Sequence, residues 1–462
     1  MIKNKYLALA VFAIGLGITF GALAEEEIKH ATVNSKMGYQ SLSLGDPLSD
    51  NGAKVTISAE RAEAVTSGGI IYHASSKRWI GKVIRLSALI DAATPGVKAT
   101  IWVRASEGSG KPLKFASSAS AGIFADGRHT VELRVPSDAA SIAFGVVMRG
   151  SGKVTAEGLK LMEIDRLPLS SGASAKQVYE EALKIVLENA YWSRNLKENQ
   201  RNFGLELSGD AGSGYQAEAA IRALLRGLQD SHSVYVDAEE ANNYSKSGGN
   251  ANSAEVRLIN GTMGYLLVPS VYGSNPALAA DFAVQVSKKL NDLKEEARCG
   301  WIVDIRKNSG GNMWPMVSAL SIFFGNERLG GFKRSNGSID WWSIHSPSVT
   351  VVPGTSEAQE VKIAVLLGQG TSSSGEALAV ALMGRKNTRS FGAPSDGRVS
   401  ANSRFQLADG SAIYLTTAID VDRSGREVGE RVFPDTRISD DVVSSSEIPG
   451  EALNWLSSSC AK

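Results

Sequence analysis

Two cysteines, five histidines and a formal net charge of only +1 are few for a chain of 462 residues. A charge so close to zero removes the electrostatic case for nucleic acid or an anionic membrane surface as a partner. No His, Cys and Asp residues cluster at metal-ligand spacing, so no metal or other cofactor is called for. Beyond the first two dozen residues no run is apolar enough to span a bilayer. Internal repeats and low-complexity tracts are lacking as well. What remains is 43% hydrophobic and 21% charged. That is the composition of a soluble globular protein, long enough for two or three domains.

The N-terminus carries Lys3 and Lys5, an apolar segment from Tyr6 to Phe20, and Ala22-Leu23-Ala24 before three glutamates. This order predicts a secretory signal peptide over residues 1–24, cut after Ala24, and a secreted or periplasmic location. An uncleaved membrane anchor is the alternative. No cysteine follows the cut, so lipoprotein attachment is not indicated. In an oxidising compartment Cys299 and Cys460 can close a disulfide that staples the C-terminal tail to the core. Two free thiols remain open, because sequence does not supply a Cα separation.

From Glu25 to Arg166 short alternating runs are separated by Gly, Ser, Asp and Pro. They include Lys82–Ala88, Ala99–Arg104, His129–Val135, Ser141–Met148 and Val154–Ile164. Period-two runs with no helical stretch predict an antiparallel β-sandwich. The strand pattern resembles jelly-roll modules related to carbohydrate-binding domains, which would imply a carbohydrate or other cell-envelope ligand. Trp79 and Trp102 could stack on a sugar, although a tryptophan in a sandwich is more often core. A Ser/Gly-rich stretch at Leu167–Ala175 marks the domain boundary. Helical apolar spacing follows at Ala175–Trp192 and Tyr215–Leu228. Residues 167–255 then read as a linker and helical segment carrying His232, with Ala238–Asn252 as a loop. From 256 to 462 strands and helices alternate, which predicts an α/β domain with a partly parallel sheet. Its site is expected beyond the carboxyl ends of the strands.

Three segments of that domain could carry chemistry. Gly370-Thr371-Ser372-Ser373-Ser374-Gly375-Glu376 lies between an apolar strand, Val361–Leu367, and an Ala/Leu/Val/Met-rich helix. A serine there meets unpaired N–H groups and the positive end of a helix dipole. It can be a nucleophile or merely a helix cap. Asp304–Trp314 holds a double glycine, Gly310-Gly311, after a buried strand, a backbone nest suited to an oxyanion. His232 ends a helix between two serines, and imidazole is the commonest general base near neutral pH.

Taken together, these motifs resemble the C-terminal-processing (tail-specific) serine peptidases, whose peptidase fold is also called ClpP/crotonase-like. The resemblance rests on Gly264-Tyr265-Leu266-Leu267-Val268-Pro269, on Asp304 to Gly311, on Thr371 to Glu376, on Gly392–Ser395 and on Pro434-Asp435. It covers about Ala175 to Arg437. It implies Ser373 as nucleophile, with the N–H of Ser374 and one from Gly310 or Gly311 as the oxyanion hole. Where the bacterial tail-specific branch has a lysine base, this chain has Arg398, which stays protonated. There is little room between Tyr235 and Val256 for a PDZ insert. Both departures fit the branch similar to the tricorn core and the nisin-resistance peptidase, in which a histidine is the base; Asp230-Ser231-His232-Ser233 matches it. That branch implies orienting groups for the histidine, here Ser231 and either Glu430 or Glu427. The expectation is an exported serine endopeptidase acting on polypeptides. The alternatives are a non-catalytic ligand-binding protein on the same fold, or an esterase using the same pair.

Overall fold

Strict alternation builds the N-terminal region. In Ala53–Ala59 the odd-numbered residues are buried and those between are exposed or half-buried, which lays one face of a strand on a core. The computed structural model describes residues 28–60, 67–92, 94, 97–118, 127–164, 173–202, 214–249, 253–350, 360–439, 442–443, 447–458 and 460. The expected signal peptide and most of the expected linker lie outside them. Within the described residues this region holds β1 (Lys29–Val33), β2 (Tyr39–Leu44), β3 (Ala53–Ala59), β4 (Ser67–Ser75), β5 (Val83–Ala92), β6 (Lys98–Ser106), β7 (Pro112–Ser117), β8 (Gly127–Arg134), β9 (Ser141–Arg149) and β10 (Gly152–Ile164). They form two five-stranded sheets, ordered β1-β4-β9-β6-β7 and β2-β3-β10-β5-β8. The pairings are antiparallel throughout.

One buried cluster draws on both sheets, with Ile57, Leu86 and Leu161 from one and Tyr72, Val103 and Phe144 from the other. Each such side chain contributes roughly 1.5–3 kcal/mol on leaving water. Trp79 and Trp102 are each only 3% exposed, and Trp102 stacks on Phe115. Neither ring offers a face to a sugar, so the expected carbohydrate ligand finds no support in them.

The chain divides into two compact units, Met1–Ser170 with Ala211–Ala219, and Ser171–Asp210 with Ala220–Lys462. Most of the segment expected as a separate helical piece therefore shares a unit with the α/β core. It contains α1 (Ala175–Asn189), α2 (Gly214–Gly227), β11 (Val234–Val236) and α3 (Ala238–Lys246). The last corrects the expected loop. Asp237 caps α3 by accepting the Glu240 N–H at 2.9 Å, which lets a polar stretch start a helix.

The α/β core contains β12 (Glu255–Ile259), β13 (Met263–Leu267), α4 (Pro276–Asp292), β14 (Trp301–Asp304), α5 (Met313–Ala319), β15 (Gly330–Arg334), β16 (Ile339–Trp342), β17 (Ile363–Leu367), α6 (Ser374–Met383), β18 (Thr388–Gly392), β19 (Ser400–Gln406), β20 (Ala412–Val421), β21 (Thr436–Arg437) and α7 (Gly450–Ser457). Its main sheet runs β12-β13-β14-β17-β18-β21. Only the β12–β13 pairing in it is antiparallel. Every residue of β14 and β17 is buried, as expected for parallel strands covered on both faces. Phe282 of α4, Met316 of α5 and Leu378 of α6 share a core with Val303 and Val365. Ala452 and Leu456 of α7 pack on the opposite face, against Ile302 and Ala364. A second, antiparallel sheet runs β11-β20-β15-β16, with β19 also paired to β20. Cys299 and Cys460 are bonded to each other, which settles the open alternative and ties the tail beyond α7 to the start of β14.

Candidate active site

Strands β14 and β17 are parallel neighbours, so the loops leaving their carboxyl ends emerge side by side. The β14 loop carries Gly310-Gly311 and the β17 loop carries the three serines. Asn308 stitches the two together. Its carbonyl accepts the Ser372 N–H at 3.0 Å, and its side-chain amide donates to the Pro269 carbonyl at 3.0 Å.

The serines divide their roles. Ser372 donates its hydroxyl to Asp396 at 2.7 Å, and Ser374 donates to the Gly311 carbonyl at 2.6 Å. Ser373 stands apart by its backbone, with φ 54° and ψ −122°, a left-handed conformation costly for a side-chain-bearing residue. A Cβ added to Gly310 would lie 2.8 Å from Ser373 Cβ and 3.1 Å from Ser374 N, and one on Gly311 would lie 2.0 Å from the Val271 carbonyl oxygen. Only glycines bring that loop so close to the serine.

One expected donor is corrected. The Gly310 N–H is taken by Asn308 Oδ1 at 3.0 Å, so among the expected oxyanion donors Gly311 and Ser374 remain. Ser374 is the first residue of the ten-residue α6, where unpaired N–H groups and the helix dipole favour negative charge.

Glu376, fully buried, holds the elbow from beneath. Its Oε2 accepts the Ser373 N–H at 2.7 Å and the Arg398 N–H at 2.9 Å; its Oε1 accepts the Gly397 N–H at 2.9 Å and the Ser395 hydroxyl. Burial raises this carboxyl above its ordinary range, while the four donors act in the opposite direction. Beside it Asp420 is buried too. Among the described residues neither of its carboxylate oxygens has a hydrogen-bond partner. Burial first, and the nearby Glu376 second, push its pKa well up.

His232 is buried in the turn between α2 and β11. Asp230 Oδ1 accepts the His232 N–H at 2.8 Å and the Ser233 N–H at 2.6 Å. The imidazole Nδ1 is 2.8 Å from Ser400 Oγ on β19. Ser400 lies two residues beyond Arg398, a span of at most about 7 Å. The chain leading to Ser400 is thus anchored on the same Glu376 oxygen that accepts the Ser373 N–H.

The expected orienting groups do not occupy the Nδ1 position. Ser231 and Glu430 are exposed, and Glu427 pairs with Lys333 at 2.9 Å. Arg398 pairs with Asp396 at 3.2 Å. Ser400, Asn308 and Asp420 escaped the sequence reading. Asn308 alone had a signal, since it sits inside the Asp304–Gly311 motif.

A strained serine at a strand-to-helix elbow, closed by a double-glycine loop, sits at the carboxyl ends of a parallel sheet, where a hydroxyl can meet a substrate. Residues 262–438 match the model of Peptidase family S41. The chain is 29% identical over 210 residues to the nisin-resistance protein of Lactococcus lactis subsp. lactis, covering 43% of this chain and 62% of that protein. It is 24% identical over 169 residues to a carboxyl-terminal-processing protease of Synechocystis sp., covering 36% of this chain and 38% of that one. A solved lipoprotein from Streptococcus agalactiae superposes with a TM-score of 0.54 at 22% identity, over 64% of this chain and 99% of that one. The chain spans less than two thirds of the length of these two curated relatives. Residues 262–438 thus carry the match to peptidase family S41, and the curated relatives they resemble include carboxyl-terminal-processing proteases.

Proposed function

We propose that this chain is an exported serine peptidase hydrolysing peptide bonds of polypeptides, with Ser373 as nucleophile and His232 as general base. Ser373 Oγ attacks the scissile carbonyl carbon while His232 Nε2 takes the hydroxyl proton. The carbonyl oxygen becomes an oxyanion received by the N–H groups of Ser374 and Gly311. When the intermediate collapses, the C–N bond breaks and the imidazolium protonates the leaving amine. Water, deprotonated by the same imidazole, then cleaves the acyl-enzyme and releases the carboxylate product.

The observation that carries this reading is the strained Ser373 backbone pressed onto Gly310. Neither strain nor a glycine at that position is required of a simple helix cap. Arg398, ion-paired and permanently protonated, is no rival base, which favours the histidine-based branch without a PDZ insert. The bonded Cys299–Cys460 pair and the signal-like N-terminus support export to the periplasm or beyond. We assign residues 25–166 to a jelly-roll-like β-sandwich and the catalytic core to the ClpP/crotonase-like fold.

The test is digestion of an unfolded polypeptide such as casein beside hydrolysis of a short acyl ester, each with wild type and Ser373→Ala. Cleavage of casein by wild type alone supports the peptidase. Turnover of the ester only makes the protein an esterase, and no turnover of either makes it a binding protein.

A further inference from the structure

We propose that Ser400 is the positioning residue of His232, accepting a hydrogen bond from Nδ1–H and so placing the lone pair of the imidazole on Nε2, the nitrogen that acts as base. This assignment rests on the Ser373–His232 reading and names the group that completes it.

Three observations converge on it. The Nδ1-to-Ser400 Oγ distance of 2.8 Å is a full hydrogen bond. Two residues along β19, Asn402 donates its side-chain amide to the His232 carbonyl oxygen at 2.8 Å. Residues i and i+2 of a strand share a face, so one face of β19 grips both the ring and the backbone of the histidine. Asn402 is itself held, since its Oδ1 accepts the Thr416 hydroxyl at 3.0 Å. The β19–β20 register slips opposite Ala401 and Asn402, with Thr417 the extra residue on β20, so the alternation of β19 itself is kept. Finally, the chain just before Ser400 is pinned by Glu376, which takes the Arg398 N–H and the Ser373 N–H on one oxygen. The group that orients the base and the residue to be deprotonated therefore share an anchor.

A neutral imidazole carries one proton, and the partner of one nitrogen decides which nitrogen holds it. With Nδ1–H donated to Ser400, Nε2 is an acceptor and can take the serine proton. With the bond reversed, Nε2 carries the proton and the base is blocked. A hydroxyl, unlike a carboxylate, adds no charge to stabilise the imidazolium, so the contribution of Ser400 is orientation.

The experiment uses the full chain, ¹⁵N-labelled at histidine, with the His232 signals assigned through His232→Gln. Imidazole nitrogen shifts give the tautomer, and the rate of labelling by a fluorophosphonate probe is followed against pH. Wild type is expected to show the Nδ1–H form. In Ser400→Ala that form gives way to Nε2–H, and labelling slows by about 10–100-fold, the usual cost of losing such an outer partner. Ser400→Thr, which keeps the hydroxyl, recovers most of the rate. Ser400→Asp places a carboxylate against Nδ1 and moves the midpoint of the pH–rate curve up by about one unit or more. A wild-type Nε2–H tautomer, or Ser400→Ala with unaltered nitrogen shifts, pH midpoint and rate, overturns the assignment. If wild type is not labelled at all, the hydrolase reading falls, while the nitrogen shifts still decide the role of Ser400.

Discussion

The two units of this chain bury polar groups on opposite terms. In the β-rich N-terminal unit the ion pairs Lys54–Glu157, Lys82–Glu163 and Arg85–Glu132 are exposed or half-exposed, and buried His129 is bonded to Ser118 within the sandwich. Its shared core is built from the alternating apolar faces of two sheets. In the α/β unit Asp304, Arg306, Glu376, Asp420 and His232 are all buried. Burying charge lowers stability unless partners are in place: Asp304 and Arg306 pair with each other, Glu376 accepts four donors, and His232 is bonded to Ser400. A region that only has to hold its shape can do so with alternation. A region that has to hold a strained serine and an imidazole retains costly groups to do it.

The sharpest way to break that contrast is Arg306→Ala. Arg306 is paired with buried Asp304 at 2.6 Å, with both side chains less than a tenth exposed, and it also donates to the Glu447 carbonyl oxygen at 2.9 Å. Its removal leaves a buried carboxylate without its counter-charge, held only by the Tyr265 hydroxyl and the residue-306 N–H. The expected loss is about 3–5 kcal/mol, read by denaturant unfolding as a shift in the transition of the α/β unit.

Gly310→Ala comes next. The new methyl would meet Ser373 Cβ at 2.8 Å, at a φ of +96°. With Ser373 as the proposed nucleophile, displacing it by a fraction of an ångström to one ångström is expected to slow fluorophosphonate labelling by about 10²-fold. Gly108→Ala, in the other unit, meets nothing within 4 Å and should leave both labelling and stability unchanged.

Asp420→Asn probes the contrast from the opposite direction, because it should stabilise. The folded pKa of Asp420 lies well above its ordinary value. Its contribution is therefore fully present below the unfolded pKa and is lost as pH rises through the folded one. The variant cannot ionise. Its melting temperature should exceed that of wild type by an amount that grows with pH, reaching a gain of about 1–3 kcal/mol. A gap that shrinks with rising pH would contradict the direction of the shift. At the bottom of the scale, Lys54→Ala removes an exposed pair and should change stability by less than about 1 kcal/mol.

How far the sequence reached depended on the physics of each segment. The elbow around Ser373 was legible because an apolar strand, a run of small polar residues and an alanine-rich helix follow one another without ambiguity. Strands β5, β6 and β8–β10 showed their alternation. Strands β1, β2 and β7, all at sheet edges where the pattern weakens, escaped, and so did interior β3 and β4, although β3 alternates strictly. Strand β19, Ser-Ala-Asn-Ser-Arg-Phe-Gln, has none of its residues buried, so nothing in its pattern set Ser400 apart. Helix α3 carried a missed signal, Asp237 three residues before Glu240. The Asn308 bond to the Gly310 N–H depends on a side-chain rotamer, which spacing does not encode.

The central claim is that the Ser373 hydroxyl is made nucleophilic by His232. Its most direct test is fluorophosphonate labelling followed by peptide mapping in wild type, Ser373→Ala and His232→Ala. The account predicts one adduct, on Ser373, that disappears in Ser373→Ala and forms at least about 10³-fold more slowly in His232→Ala. An adduct on Ser372 or Ser374, undiminished labelling in either variant, or no adduct in wild type would contradict it.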